Sequence, residues 1–176
     1  MRVGQEGQVA KFMVEAFLDI ETTGLSPIYG YITVIGIYLN DSSYRKFVHL
    51  VGEEVNKDNL LEALRGVGVI YTYNGSRFDL PFINVSLDVD LTKDFKHHDL
   101  MLDCWRNNLY GGLKAVEVQL EITRQLKGID GVEAVRLWWR YRNNNDLNAL
   151  AILLKYNEED VMNLKSLKEI LEINQE

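Results

Sequence analysis

The chain has 176 residues, 47% of them hydrophobic and 26% charged, with a formal net charge of −7 and one cysteine. That length suits one well-packed domain and is short for two, and the lone thiol, Cys104, excludes an internal disulfide and fits a reducing compartment, the cytoplasm being the expected location. The acidic balance argues against a generic polyanion binder, and no uninterrupted apolar run approaches the roughly 20 residues that span a bilayer.

Met1 to Gln8 is polar and reads as a short tail rather than a signal peptide, because the apolar stretch after it is interrupted by Lys11, Glu15 and Asp19. From Phe12 to Ile20 the even positions are all apolar, which predicts a strand with one continuous buried face. Side chains alternate along a strand, so Asp19 and Glu21 project together from the other face. Two like charges at a half-buried strand end repel each other and lose hydration, and a divalent cation between them is the simplest remedy. Two such ions would offset more than half of the net charge.

Strands at Tyr31 to Leu39 and Tyr44 to Leu50 follow across short turns at Thr23 to Gly30 and Asn40 to Ser43, an antiparallel meander. A helix from Lys57 to Arg65, capped by Asn56, then crosses over to a fourth strand, Val69 to Tyr73. Asn74-Gly75 marks a turn, and Phe78 to Leu87 reads as a helix with Pro81 in its first turn. Asp79 falls at the start of that helix, where an aspartate ordinarily serves as a cap or first-turn acid. Phe95 to Leu100 gives a short fifth strand. His97 and His98 at its end read as structural or rim residues, and Asp99 as either an acid supporting a site or a cap.

The remainder is helix and loop, with helices at Lys114 to Leu120, Val132 to Tyr141, and Leu147 to near the C-terminus after the cap Asp146. Between and within them, Arg124, Lys127, Arg136, Arg140 and Arg142 are interleaved with Trp138, Trp139 and Tyr141. That composition suits phosphates and base faces, and equally an amphipathic helix with a tryptophan core and solvated arginines. Adjacent helical positions cannot both face the same way, so at most one tryptophan is core. The expected class is α/β: one domain over residues 1–176 with a mixed five-stranded sheet, three strands antiparallel and two reached by parallel crossovers, flanked by helices.

In the last helix Tyr156 and Asp160 lie four apart, on one face, and reach the same point in space, while Glu158 and Glu159 point elsewhere and read as solvated. Strand-borne Asp19 and Glu21, Asp79 after the fourth strand, and helix-borne Tyr156 and Asp160 together resemble the DEDD superfamily of 3′-5′ exonucleases, in its tyrosine subgroup (DEDDy), with a ribonuclease H-like fold. The stretch Asn74-Gly75 through Phe78-Asp79-Leu80-Pro81 looks like the second exonuclease motif of family B DNA polymerases. Asp99-Leu100-Met101 and Gly112-Leu113-Lys114-Ala115-Val116-Glu117 look like stand-alone members predicted to be exonucleases. The histidine subgroup carries its histidine five residues before the last acid, where this chain has Lys155.

The resemblance implies a metal-dependent exonuclease acting at the 3′ end of single-stranded or frayed DNA or RNA and releasing nucleoside 5′-monophosphates, with no membrane partner. It implies two Mg²⁺ or Mn²⁺ ions, hard cations that prefer oxygen ligands. Asp19 would bridge both, Glu21 and Asp160 would complete the nucleophile-side site, and Asp79 would hold the second ion through water. Tyr156 would orient the attacking water, since a phenol with an unperturbed pKa near 10 is a poor base at neutral pH. Substrate contacts would come from Thr22 near the 3′ hydroxyl, Leu25 wedged against the last base, Asn74 on the substrate backbone, and Phe78. For Leu25 the residues alone leave a second possibility, an ordinary turn with the side chain tucked into the core. Two other functions fit the fold: a non-catalytic nucleic-acid-binding or protein-interaction module, and a ribonuclease H-type endonuclease.

Overall fold

The computed structural model describes residues 14–41 and 44–173. The polar stretch Met1 to Gln8, the first residues of the expected first strand and Ser42 with Ser43 lie outside them. Five strands, β1 (Val14–Thr22), β2 (Ile32–Asn40), β3 (Arg45–Val51), β4 (Val67–Thr72) and β5 (Lys96–Asp99), form one sheet in the order β3-β2-β1-β4-β5. The first three pair antiparallel, whereas β4 joins β1 and β5 joins β4 in parallel. The mixed sheet expected from the sequence is therefore the one that forms, with a meander at one edge and crossovers at the other.

The helices are α1 (Lys57–Ala63), α2 (Asp79–Leu87), α3 (Leu91–Asp94), α4 (Leu100–Arg106), α5 (Leu113–Gln119), α6 (Gly131–Asn144) and α7 (Leu147–Ile173). Asn56 caps α1 by accepting from the Asn59 N–H at 3.0 Å, and Asp146 accepts from Ala149 N–H at 3.0 Å before α7. The sequence reading assigned no boundaries to α3 and α4. One or two turns are too short to display a 3.6-residue period, and the signals that mark them are the caps Asp90 and Asp99. Among the described residues, no helix is long and apolar enough to cross a membrane.

The alternation read from β1 separates two layers. Ala16, Leu18 and Ile20 point into a core closed by Leu60 and Leu64 at the end of α1 and by Phe82 and Ile83 of α2. Phe17 points the other way, with Tyr38 of β2, into a second core built on Val161, Leu164, Leu167 and Leu171 of α7. Asp19 and Glu21 follow Phe17 at the same parity, so they emerge on the α7 side of the sheet. A third cluster joins Val34 to Trp138 of α6 and to Leu153 and Tyr156 of α7. The tryptophan pair divides as helical geometry demands: Trp138 is 2% exposed and donates to the Tyr31 hydroxyl at 2.9 Å, while Trp139 is 41% exposed.

Candidate metal centre

Helix α7 reaches the carboxylates because β2 carries a glycine where it crosses. Gly36 pairs with Asp19 in register, and a Cβ on Gly36 would sit 2.0 Å from Oδ1 of Asn157. With no side chain there, α7 packs close enough for Asn157 Nδ2 to donate to Asp19 Oδ2 at 2.9 Å. A lone glycine inside a strand is a signal of close backbone approach, and Gly36 is the feature from which this crossing could have been found.

That contact places Asp160 opposite the strand pair. One carboxylate oxygen from each of Asp19, Glu21 and Asp160 lies within 4.8 Å of the others, an all-oxygen donor set of the kind hard divalent cations prefer. Asp79 stands behind this trio. It is the first residue of α2 but not a simple cap, because its Oδ1 accepts from the Ile20 N–H of β1 at 3.2 Å. Asp99 is more than a cap. It caps α4 through the Met101 N–H at 3.2 Å, and it accepts from Asn74 N–H at 2.7 Å and from Ser76 N–H and hydroxyl at 3.0 and 2.6 Å. Asn74 has φ of 60°, a conformation that asparagine tolerates, so Asp99 clamps the left-handed turn that launches Asp79.

Electrostatics favour a cation here. Burial pushes the Asp19 carboxyl up to about 7, against hydrogen bonding by Asn157 and the charges of Arg124 and Lys114. Glu21 and Asp79 are also held well above the ordinary carboxylate range, first by burial and then by the Asp19 charge. Carboxylates that resist ionisation for want of positive charge, presenting only oxygen, fit a divalent metal.

Tyr156 closes the constellation. Its hydroxyl accepts from Lys114 Nζ at 2.8 Å, and the same ammonium donates to the Ile129 carbonyl at 2.6 Å. Burial, followed by the Glu21 and Asp19 charges, raises the phenol pKa, so Tyr156 stays protonated at neutral pH. Burial and the Arg124 charge lower that of Lys114. Arg124 bonds to Asp160 through Nη2 and grips Glu117 with Nε and Nη2 at 2.5 and 2.9 Å.

The trio opens into a cleft of about 630 Å³ that also exposes Thr22, Leu25, Phe78, Val132, Val135, Arg136 and Tyr156. Leu25 is 89% exposed and therefore not tucked into the core. Thr22 donates its hydroxyl to the Gly24 carbonyl at 2.7 Å, shaping the turn that projects Leu25. Asn74 lies in the clamped turn rather than on the cleft wall. His97 bonds to Thr72 and His98 to Asp103, away from the carboxylates, as structural residues. Of the basic stretch, Arg136 and Arg140 pair with Glu133 and Asp146, and Arg142 lies over Trp138.

One expectation is corrected. Glu159 is not solvated: it is 8% exposed, and it accepts from Gln125 and Leu126 N–H groups at 2.8 and 3.1 Å. The loop after α5 folds over that face of α7, and its unpaired amides need an acceptor. Glu158 remains at the surface with Lys155. Sequence reasoning gave no role to Asn157, Lys114 or Glu117, and it read Arg124 only as part of a basic run.

The profile of the RNase H superfamily matches residues 16–172, the sheet apart from the first two residues of β1, and α7 apart from its last residue. The chain belongs to the RNase H superfamily. No protein of curated function matches it in sequence. Among solved structures, the family B DNA polymerase from the hyperthermophilic archaeon Pyrobaculum calidifontis is similar over 90% of this chain, with a TM-score of 0.68 and 14% identity. Brucella melitensis NrnC, in a structure with bound Mg²⁺, is similar over the same share with a TM-score of 0.58 and 20% identity. The chain spans about a quarter of the polymerase, 24%, and 71% of NrnC. At these identities the likeness establishes a common ribonuclease H-like fold.

Proposed function

We propose that the protein is a metal-dependent 3′-5′ exonuclease, a single domain over residues 1–176, that hydrolyses phosphodiester bonds at the 3′ end of single-stranded or frayed nucleic acid and releases nucleoside 5′-monophosphates. The observation that carries this reading is the convergence of Asp19, Glu21 and Asp160 at the floor of an apolar-walled cleft, with Tyr156 beside them and Asp79 behind. The Mg²⁺ in the NrnC structure supports Mg²⁺ or Mn²⁺ as the ions held by Asp19, Glu21, Asp79 and Asp160. When bound, such ions supply Lewis acidity to the attacking water, the nonbridging oxygens and the leaving 3′ oxygen.

The protein's own groups then have distinct tasks. Asn157 fixes one oxygen of Asp19, leaving the other free for a ligand. Lys114 occupies an acceptor position on the Tyr156 oxygen, so the phenolic proton is available to a water or a phosphate oxygen in the cleft. With its pKa raised, Tyr156 orients that water and does not deprotonate it. Leu25, Phe78, Val132 and Val135 offer apolar surface to a terminal base, and Thr22 stands beside Glu21 where a 3′ hydroxyl would lie. Asn74 would contact the substrate backbone from the turn.

The test uses 5′-labelled and 3′-labelled single-stranded DNA and RNA, and a circular substrate, with Mg²⁺ or Mn²⁺. Progressive shortening of the 5′-labelled strands, immediate release of the 3′ label as a mononucleotide and an intact circle are expected, and D19A and D160A should lose the activity. Cleavage of the circle would favour an endonuclease. Wild-type protein that binds nucleic acid but leaves every substrate uncut would favour a binding module.

A further inference from the structure

The arginine nearest the carboxylate trio presents a physical difficulty. Arg124 is only 12% exposed in its side chain, and its Nη2 bonds to Asp160, one of the three carboxylates that converge. A fixed cation at that place competes with a divalent ion for the same carboxylate and repels the ion besides. The same guanidinium is also held from the other side, where Glu117 accepts from it through both carboxylate oxygens.

Glu117 is the buried partner of that arginine. It sits on the inner face of α5, is 2% exposed, and takes both Nε and Nη2 of Arg124, while Asn163 of α7 donates to its Oε1 at 2.9 Å. Among the described residues no backbone amide bonds to its carboxylate, so its partners there are a guanidinium and an amide that both flank Asp160. A buried bidentate pair of this kind is electrically close to neutral seen from outside. Asp160 therefore keeps a donor that orients it without losing its charge to that donor.

We propose that Glu117 is a positioning residue which neutralises Arg124, so that Asp160 holds a divalent cation rather than being satisfied by the arginine. The inference rests on the metal-dependent reading above and adds to it a residue that sets metal affinity without touching the ion. In E117Q the geometry is nearly kept but Arg124 is left uncompensated, and the guanidinium binds Asp160 outright. In E117Q/R124M both charges are gone and the competitor with them.

Calorimetric titration of Mn²⁺ into the metal-free full chain, with circular dichroism to verify folding, separates the outcomes. E117Q should bind Mn²⁺ about 10-fold or more weakly, the range seen when supporting partners of metal ligands are lost. The double variant should return to within about threefold of the parent. Parental affinity in folded E117Q would overturn the proposal, and so would a double variant no better than E117Q, which would mark Glu117 as merely structural. Should E117Q fail to fold, the double variant decides by the same criterion. Wild-type protein that binds no Mn²⁺ would refute the metal-dependent reading itself and this proposal with it.

Discussion

Replacing Gly36 by alanine isolates the contact on which the whole centre depends. The added Cβ would meet Asn157 Oδ1 at 2.0 Å, Asn157 Cγ at 2.9 Å and Val161 Cγ2 at 3.0 Å. The first falls about 1.4 Å short of the 3.4 Å at which ordinary contact begins. Two responses are open, and both damage the site. If Asn157 rotates away, Asp19 loses its side-chain donor, worth about 1.5–3 kcal/mol for a hydrogen bond to a charged group. If α7 shifts instead, overpacking costs about 1–3 kcal/mol. Either way, a loss of about 1–3 kcal/mol should lower the melting temperature by about 2–12 °C in a domain of this size. Tyr156 and Asp160 ride on the same helix, and a displacement near 1 Å in a reacting constellation costs about 100-fold in rate. Thermal melting and single-turnover cleavage at saturating Mn²⁺ measure both effects. The companion variant G36A/N157A removes the two nearest atoms, leaving only Val161 Cγ2 at 3.0 Å, and should regain most of the stability while staying slow. A G36A protein that melts within about 2 °C of the parent and cleaves within about threefold of its rate would refute the reasoning.

Two further outcomes follow from the electrostatics. Y156F removes the hydroxyl that accepts from Lys114 while keeping the ring, so cleavage should slow by about 10- to 100-fold, less than in D160A, with the melting temperature almost unchanged. Equal loss in the two variants would show Tyr156 to be more than a positioning group. In the metal-free protein the Asp19 pKa is near 7, against an ordinary value of 3.8, so the folded state keeps a proton that the unfolded chain releases. Stability should therefore fall as pH rises from about 4 to about 7, Mn²⁺ should restore it at pH 8, and D19N should make the fall shallower, with burial of Glu21 and Asp79 keeping the remainder. Melting curves in chelator across that range give the sign directly, and a melting temperature that climbs with pH would contradict it.

Local rules were enough for the frame, and the family resemblance, not local rules, singled out the carboxylates as a set. The period-2 pattern of β1 put Asp19 and Glu21 on one face, short turns required the meander, and four-residue spacing put Tyr156 and Asp160 together. Each depends only on neighbours a few positions apart, so a single sequence expresses it. The surroundings of those residues come from long-range packing. The Arg124 side chain meets Asp160 across 36 positions, Lys114 meets Tyr156 across 42, and Asn157 meets Asp19 across 138. Glu159 has the same character: surface-like by helical spacing, it is buried because the loop after α5 brings unpaired amides to it. The sequence by itself determined on which face of which element the converging carboxylates stand. Only the tertiary structure decided which cations and amides surround them, because burial and charge compensation are set where distant segments meet.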